Sequence, residues 1–164
     1  MKKLNIVIAG VTGYIGLELV KILSKHPLVN IKNICAQSSI GSNISKFCKD
    51  LKNNKKLPKI KDIRNVNFND IDVLFTALPN GKAQKIANRL PKNTILIDLS
   101  ADFRLQNPAE YKKWYKIKHQ AKNLIKKSIY LIPELLNNNL KNFSIISCPG
   151  CYPTSIQIPL IPLI

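Results

Sequence analysis

The chain has 164 residues, a formal net charge of +17 and 45% hydrophobic residues. This length suits one domain with a substantial core. The chain has no apolar run of 18 residues and no signal-peptide core, so we expect a soluble, cytoplasmic protein with no membrane partner. Its four cysteines lack a framework spacing, which suits a reducing compartment.

The positive charge does not indicate a nucleic-acid partner. The lysines are scattered, without interleaved aromatic residues, a helix-turn-helix pattern or a zinc knuckle. Lys, Asn and Ile make up about two-fifths of the chain, and their A/T-rich codons explain the excess without a polyanion. A basic surface can still attract phosphorylated ligands.

The first predicted elements are a strand, a glycine turn and a helix. Leu4–Ala9 is apolar except for Asn5, and the turn Gly10–Gly16 follows it. Apolar residues then recur at helical spacing until His26. This context is typical of dinucleotide binding, in which glycines admit a pyrophosphate beside a helix N-terminus. A structural glycine turn is the alternative. The candidate cofactor-binding residues are Gly10, Thr12, Gly13, Tyr14, Ile15 and Gly16.

The second predicted strand, Ile31–Ala36, ends without the carboxylate that binds the ribose 2′-OH of NAD. Ser38 and Ser39 follow it and leave room for a 2′-phosphate, to which Lys46 or another lysine could add charge. Both serines are candidate cofactor-binding residues, and NADP(H) is the expected cofactor. A polar loop without a binding role is the alternative.

The rest of the chain continues to alternate strands with helices. This alternation predicts an α/β fold with a doubly wound parallel sheet of the Rossmann type, whose ligands gather at the carboxyl ends of the strands. Residues 111–118 are expected to form a helix-like stretch in which Tyr111, Trp114 and Tyr115 pack inside, and a stacking platform is the alternative. The other predicted elements are short helices and one strand within 41–69, a helix over 82–90, and strands over 72–78, 94–99, 128–132 and 143–146.

Cys151 follows the last strand and a Pro-Gly turn, and Tyr152-Pro153-Thr154 then begins a predicted helix. A thiol at a helix N-terminus faces unpaired N–H groups and the positive end of the dipole, which favour the nucleophilic thiolate. Cys151 is therefore the predicted nucleophile. The alternatives are a buried structural cysteine, or a Cys148-x-x-Cys151 redox pair or half zinc site. We expect no metal, because the other two cysteines do not form a compact second pair.

Four blocks of sequence resemble the N-acetyl-γ-glutamyl-phosphate reductases, NADPH-dependent enzymes of arginine biosynthesis. The resemblance implies that Cys151 attacks a small acyl phosphate, expels phosphate and forms a thioester, which hydride then reduces to a semialdehyde. It also implies cofactor contacts at Pro79 and Gly81. The blocks, in chain order, are Gly10–Leu19, Ala77–Gly81, Asp98–Leu105 and Pro149–Thr154.

Arg104 lies within the third of these blocks. Its planar guanidinium could bind a carboxylate or a phosphate of the substrate. A structural ion pair with Asp102 or Glu110 is the alternative.

The chain departs from the family pattern at three places and in its length. The family usually has Asn where this chain has Cys148, His where it has Asn80, and Gly-Leu-Pro where it has Leu131-Ile132-Pro133. The family also continues into a second domain that carries a catalytic histidine, substrate-binding residues and the subunit interface. We therefore expect an NADP-binding domain over 1–150 and the start of a truncated catalytic and dimerisation domain over 151–164.

These departures leave more than one function open. The expected protein is a reductase fragment that is inactive alone, from a homo-oligomeric family, with a separately encoded C-terminal half as a candidate partner. A non-catalytic NADP-binding relic is one alternative. An enzyme like aspartate-semialdehyde dehydrogenase is the other, although its Asn-Cys-Thr motif is absent here.

Overall fold

The computed structural model describes residues 2–52, 54, 56–135 and 139–163. Short 3-10 segments lie between the regular elements. The strands are Leu4–Ala9 (β1), Val29–Cys35 (β2), Ile60–Lys61 (β3), Val73–Thr76 (β4), Ile95–Asp98 (β5), Ser128–Tyr130 (β6) and Ile145–Ser147 (β7). The helices are Tyr14–Ser24 (α1), Lys82–Ala87 (α2), Pro108–Tyr115 (α3), Lys122–Ile125 (α4) and Cys151–Leu160 (α5).

The seven strands form a parallel sheet with the order β3-β2-β1-β4-β5-β7-β6. β1 pairs with β2 on one side and with β4 on the other. The strand order therefore reverses direction between β1 and β4, which is the switch point where α/β sheets of this kind bind ligands. The predicted α/β fold with a parallel Rossmann-type sheet is confirmed.

The chain divides into two compact units, and the first comprises residues 1–78 and 90–96. Its core forms around β1, whose last four residues are all buried. A strand that is apolar on both faces is typical of the centre of a parallel sheet. α1 covers this core with the buried Val20 and the partly buried Leu17, Leu19 and Leu23.

The second unit comprises residues 79–89 and 97–164. Its core contains three rings that pack on one another: the His119 ring lies 5.5 Å from the Phe103 ring and 5.1 Å from the Tyr111 ring, both edge-on. α5 belongs to this unit, and none of its residues is buried. The predicted domain boundary at residue 150 stays a prediction, and residue 164 lies outside the described part of the chain.

Most predicted elements occur, with shifts of one to three residues at their ends. The helix over 111–118 begins earlier, at Pro108, because Asn107 caps it and a proline suits its first turn. The short helix α4 was not predicted. Trp114 does not pack inside but is 69% exposed, with the Lys113 ammonium 5.5 Å from its ring.

Neither a membrane span nor a metal cluster is found among the described residues. None of their helices combines the length and apolar character needed to cross a bilayer. The same residues contain no group of three His, Cys, Asp or Glu side chains that could hold a metal ion.

Candidate active site

The glycine turn after β1 is packed so closely that two of its positions exclude any side chain. Gly10 has φ +91°, and a Cβ there would lie 2.1 Å from the Ala77 carbonyl oxygen. A Cβ on Gly16 would lie 2.2 Å from the Gly10 carbonyl oxygen. These contacts bring the N-terminus of α1 against the end of β1, as close packing of a dinucleotide fold requires.

The same turn is open on its other side. Gly13 is the N-cap of α1, and a Cβ there would meet only the Gly10 carbonyl oxygen, at 3.5 Å. No side chain caps the helix, and its first turn carries no acidic residue. Tyr14 and Ile15 are exposed, and Thr12 is half-buried. The N–H groups of the first turn are thus left for an anion, so these residues fit a pyrophosphate.

The last residue of β2 holds the glycine turn in place through backbone hydrogen bonds. The Cys35 carbonyl accepts hydrogen bonds from the N–H groups of Gly10 at 2.8 Å and Val11 at 3.2 Å. Burial raises the pKa of the Cys35 thiol to about 12. Cys35 is therefore a structural residue and not a reactive one.

Ser38 and Ser39 lie on an exposed loop after β2. Ser39 has a left-handed φ of 62°. The loop is closed beyond the serines by hydrogen bonds from Gly41 N to the Ile60 carbonyl at 2.8 Å and from Ile60 N to the Ser42 carbonyl at 2.9 Å. Both hydroxyls are therefore presented to solvent on a loop whose base is fixed.

The turn after β4 is held by a carboxylate far along the chain. Gly81 is the N-cap of α2, with φ +84°, and follows Pro79. Asp102 is fully buried and accepts hydrogen bonds from Gly81 N at 2.6 Å, Gln84 N at 3.2 Å, Gln84 Nε2 at 3.1 Å and the Tyr111 hydroxyl at 2.6 Å. Asp102 thus replaces the missing side-chain cap of α2 and fixes the Pro79–Gly81 turn.

His119 lies beside this carboxylate but has a structural role. Its Nδ1 accepts a hydrogen bond from Ala121 N at 3.1 Å, so its Nε2 carries the proton and donates to the Asp102 carbonyl at 2.8 Å. Burial lowers the pKa of His119. Burial, followed by the bond to Asp102, raises the pKa of Tyr111. Both rings are therefore neutral supports of the network.

Arg104 binds backbone carbonyls in place of the acidic side chains considered above. Its Nε donates to the Cys148 carbonyl at 2.9 Å, and its Nη2 donates to the Leu99 carbonyl at 3.2 Å. Asp102 and Glu110 form no ion pair with it in the described structure. The side chain is half-buried and joins the segment after β5 to the segment after β7.

Cys151 is the first residue of α5, one position before the predicted start of the helix at Tyr152, and Gly150 is the N-cap. The thiol is exposed, which contradicts the buried-cysteine alternative. Cys148 lies before the turn and is half-buried, and burial raises the pKa of its thiol. All four cysteines are free, so Cys148 and Cys151 form no disulfide in this structure.

The Asp102 network is the part of this region that the sequence did not reveal. A signal exists in hindsight, because Gln84 and Asp102 are polar residues inside otherwise buried segments. Such residues need hydrogen-bond partners in the core.

Two dehydrogenase-like features are therefore present, a dinucleotide-type glycine turn in the first unit and an exposed thiol at a helix N-terminus in the second. The family model described as semialdehyde dehydrogenase, NAD binding domain, matches residues 5–143. The chain belongs to this family, and a pyridine-nucleotide cofactor follows from the membership.

Curated relatives carry a more specific name. The chain is 43% identical to the N-acetyl-gamma-glutamyl-phosphate reductase of Brachyspira hyodysenteriae, over 97% of this chain and 47% of the relative. It is 37% identical to the protein of that name from Ehrlichia canis, over 99% of this chain and 46% of the relative. The chain thus spans about half the length of the curated relatives it matches.

Solved structures agree on the fold. The aspartate semialdehyde dehydrogenase II of Vibrio cholerae superimposes with a TM-score of 0.68 at 17% identity, over 99% of this chain and 46% of that one. An aspartate semialdehyde dehydrogenase from Candida albicans, solved with NADP, gives 0.61 at 18% identity, over 99% and 47%. At these identities the likeness shows the fold alone.

Proposed function

We propose that this chain is the NADP(H)-binding and nucleophile-bearing part of an N-acetyl-γ-glutamyl-phosphate reductase. The observation that carries the proposal is Cys151, an exposed thiol at the first position of α5. The N-terminus of a helix leaves N–H groups unpaired and is the positive end of the dipole, and both features stabilise thiolates in general. The similarity to reductases of that name over nearly the whole chain supports the same assignment.

Cys151 supplies the covalent chemistry in this proposal. Its thiolate forms a bond to the acyl carbon of the acyl phosphate, while the carbon–oxygen bond to the phosphate breaks and phosphate leaves with the electron pair. Bound NADPH supplies the hydride that reduces the acyl group to the aldehyde. Cys151 then leaves as a thiolate and is ready for another turnover. Arg104 remains the proposed binding residue for a substrate carboxylate or phosphate.

The glycine turn and two further segments would hold the cofactor. The first-turn N–H groups of α1, from Tyr14 onward, would bind the pyrophosphate, because no side chain caps them. The exposed Ser38 and Ser39 would bind the 2′-phosphate that a carboxylate would repel. Pro79 and Gly81, held by Asp102, would contact the nicotinamide half. NADP(H) is proposed over NAD(H) on these grounds.

Titration of the chain with NADPH and with NADH, followed by protein fluorescence, tests the cofactor assignment. We expect NADPH to bind more tightly, and Ser39→Asp to reduce that preference by adding a carboxylate. Asn69→Asp is a matched control, because it adds the same charge at an exposed position outside this loop. Equal or tighter binding of NADH by the unmodified chain would refute the proposed preference.

Alkylation tests the proposed nucleophile. We expect iodoacetamide to modify Cys151 first at neutral pH, since burial raises the pKa of both Cys35 and Cys148. Mass spectrometry of the digested chain identifies the modified residue. Faster labelling of Cys35 or Cys48 would contradict the assignment.

The family resemblance places the acid/base histidine and much of the substrate site outside these residues, so we propose that the chain is inactive alone. Loss of a general acid or base typically costs 10²–10⁴-fold in rate. The assay is phosphate-dependent reduction of NADP⁺ by N-acetylglutamate semialdehyde, with and without the remaining half of a relative such as the Brachyspira protein. Activity only in the mixture is expected. Turnover by the chain alone would contradict the proposed incompleteness.

Cofactor binding without activity in the mixture would instead favour the non-catalytic alternative. The family resemblance includes subunit contacts, so a second copy of the chain is one proposed partner. A separately encoded C-terminal half is the other proposed partner. Four free cysteines suit a reducing compartment, so the cytoplasm is the proposed location.

A further inference from the structure

Two segments of the second unit are joined by the side chain of one residue. Arg104 donates from Nε to the Cys148 carbonyl at 2.9 Å and from Nη2 to the Leu99 carbonyl at 3.2 Å. Cys148 N donates in turn to the Asp98 carbonyl at 2.8 Å. Cys148, the first residue after β7, is therefore bonded directly to the last residue of β5 and, through the guanidinium, to Leu99, the residue after it.

The guanidinium also reaches the residue just before the thiol. A Cβ on Gly150 would lie 3.2 Å from Arg104 Nη1, which is tighter than an ordinary contact. Gly150 is the N-cap of α5, where the helix dipole repels a cation. The dipole therefore does not draw Arg104 to this place. Its hydrogen bonds to the two carbonyls hold it there.

We propose that Arg104 is a positioning residue that fixes the Cys148–Gly150 turn, so that α5 begins at Cys151 and the thiol faces the open N–H groups. A planar guanidinium can donate to two carbonyls at once from fixed directions, whereas an ammonium cannot hold both in one geometry. This inference rests on the proposed function, in which Cys151 is the nucleophile. It adds to the proposed contact of Arg104 with substrate a role that exists before substrate binds.

The test measures the rate at which iodoacetamide alkylates Cys151 in the full chain, without substrate, from pH 6 to 9. The variants are Arg104→Lys, which keeps the positive charge, and Arg104→Gln, which removes it. The control is Arg64→Gln, because Arg64 is an exposed arginine bonded to Asp62. We expect both Arg104 variants to slow alkylation at pH 7 by about fivefold or more, through loss of the helix-terminus contribution to thiolate stability. The control should match the wild type.

The lysine variant separates the possible roles. If Arg104 acted only through its charge, Arg104→Lys would react like the wild type, and if it acted only on substrate, neither variant would change the rate. Either result, in a folded chain, overturns the inference. If Cys151 is not the thiol that iodoacetamide alkylates fastest in the wild-type chain, the proposed nucleophile is refuted instead. Failure of the proposed function and failure of the positioning role of Arg104 therefore give different results.

A second variant covers the case in which the Arg104 variants do not fold, as judged by labelling of the buried Cys35. Gly150→Ala retains Arg104 but places a methyl group 3.2 Å from Nη1, and the glycine has an ordinary φ of −74°. The guanidinium must then shift by a few tenths of an ångström. We expect Cys151 alkylation at pH 7 to slow about threefold. An unchanged rate in this folded variant overturns the inference.

Discussion

The Asp102→Asn variant tests the carboxylate that holds the N-terminus of α2. Three donors meet Oδ1, namely Gly81 N, Gln84 Nε2 and the Tyr111 hydroxyl, and Gln84 N meets Oδ2. Asparagine retains one oxygen, which can replace Oδ1. Its amide nitrogen then replaces Oδ2 and points a donor at the donor Gln84 N, 3.2 Å away.

The expected cost follows from this arrangement. Losing one hydrogen bond to a charged group costs about 1.5–3 kcal/mol. The three remaining bonds lose their charge assistance, but the variant no longer buries a charge, and these two effects offset one another in part. We therefore expect Asp102→Asn to lower the free energy of unfolding by about 3 kcal/mol. Tyr111→Phe removes one donor and leaves the carboxylate, so it should cost less, about 1.5–2 kcal/mol.

Urea unfolding of the variants, at constant m-value, measures these differences. Asp70→Asn is the charge-matched control, because Asp70 is exposed, and it should change the free energy of unfolding by less than about 0.5 kcal/mol. If Asp102→Asn were as stable as this control, the carboxylate would not anchor α2, and the account of the Pro79–Gly81 turn would be wrong.

Three further predictions concern pH, oxidation and the glycine turn. Burial lowers the pKa of His119, so the folded chain holds this side chain neutral. The free energy of unfolding should therefore fall as the pH drops below about 6.5, the pKa of histidine in an unfolded chain, because the unfolded state then binds a proton that the folded state does not. The decrease should be at most about 1.4 kcal/mol per pH unit. Urea unfolding at pH 7 and pH 5 measures this, and His119→Asn should lose that part of the slope. Hydrogen peroxide should oxidise Cys151 to a sulfenic acid, which the Cys148 thiol then converts to a disulfide with release of water. In the Cys148→Asn variant, Cys151 should instead be oxidised further to the sulfinic acid. Mass spectrometry of the peroxide-treated chain measures both products, and the absence of the disulfide would contradict this prediction. Gly16→Ala should prevent stable folding, since its Cβ would lie 2.2 Å from a backbone oxygen. Gly13→Ala should remain folded, as measured by thermal unfolding, but bind NADPH more weakly. Equal behaviour of the two variants would contradict the described geometry of the turn.

The features that were predictable from sequence are those that depend on neighbouring residues. β1 is apolar except for Asn5, and the close approach of Gly16 to the Gly10 carbonyl is a contact within seven residues. The Pro-Gly turn and Pro153 in the first helical turn predicted the start of α5 to within one residue, at Tyr152 in place of Cys151. Local stereochemistry settles each of these, so no knowledge of the tertiary fold was needed.

The features that sequence did not reveal depend on contacts across the chain. Asp102 caps a helix whose first residue lies 20 positions earlier, and no local pattern links them. The direction of Arg104 is set by a carbonyl 44 residues away, at Cys148. Trp114 was expected inside, but the short helix α3 buries Tyr111 and leaves Trp114 in solvent. A helix of eight residues is too short for its hydrophobic periodicity to show which of two nearby aromatic residues is buried.

The unburied helix α5 has a consequence for the behaviour of the chain in solution. Tyr152, Ile156 and Leu160 of the helix, and Leu163 just beyond it, leave large apolar areas in contact with water on a molecule that carries a net charge of +17. Like charges keep such molecules apart at low ionic strength, but the screening length falls from about 30 Å at 0.01 M salt to about 10 Å at 0.1 M. Colloidal stability should therefore decrease as salt is added, and light scattering should show larger particles in 0.5 M than in 0.01 M sodium chloride. Binding measurements on this chain belong at low ionic strength and low protein concentration, where single molecules dominate.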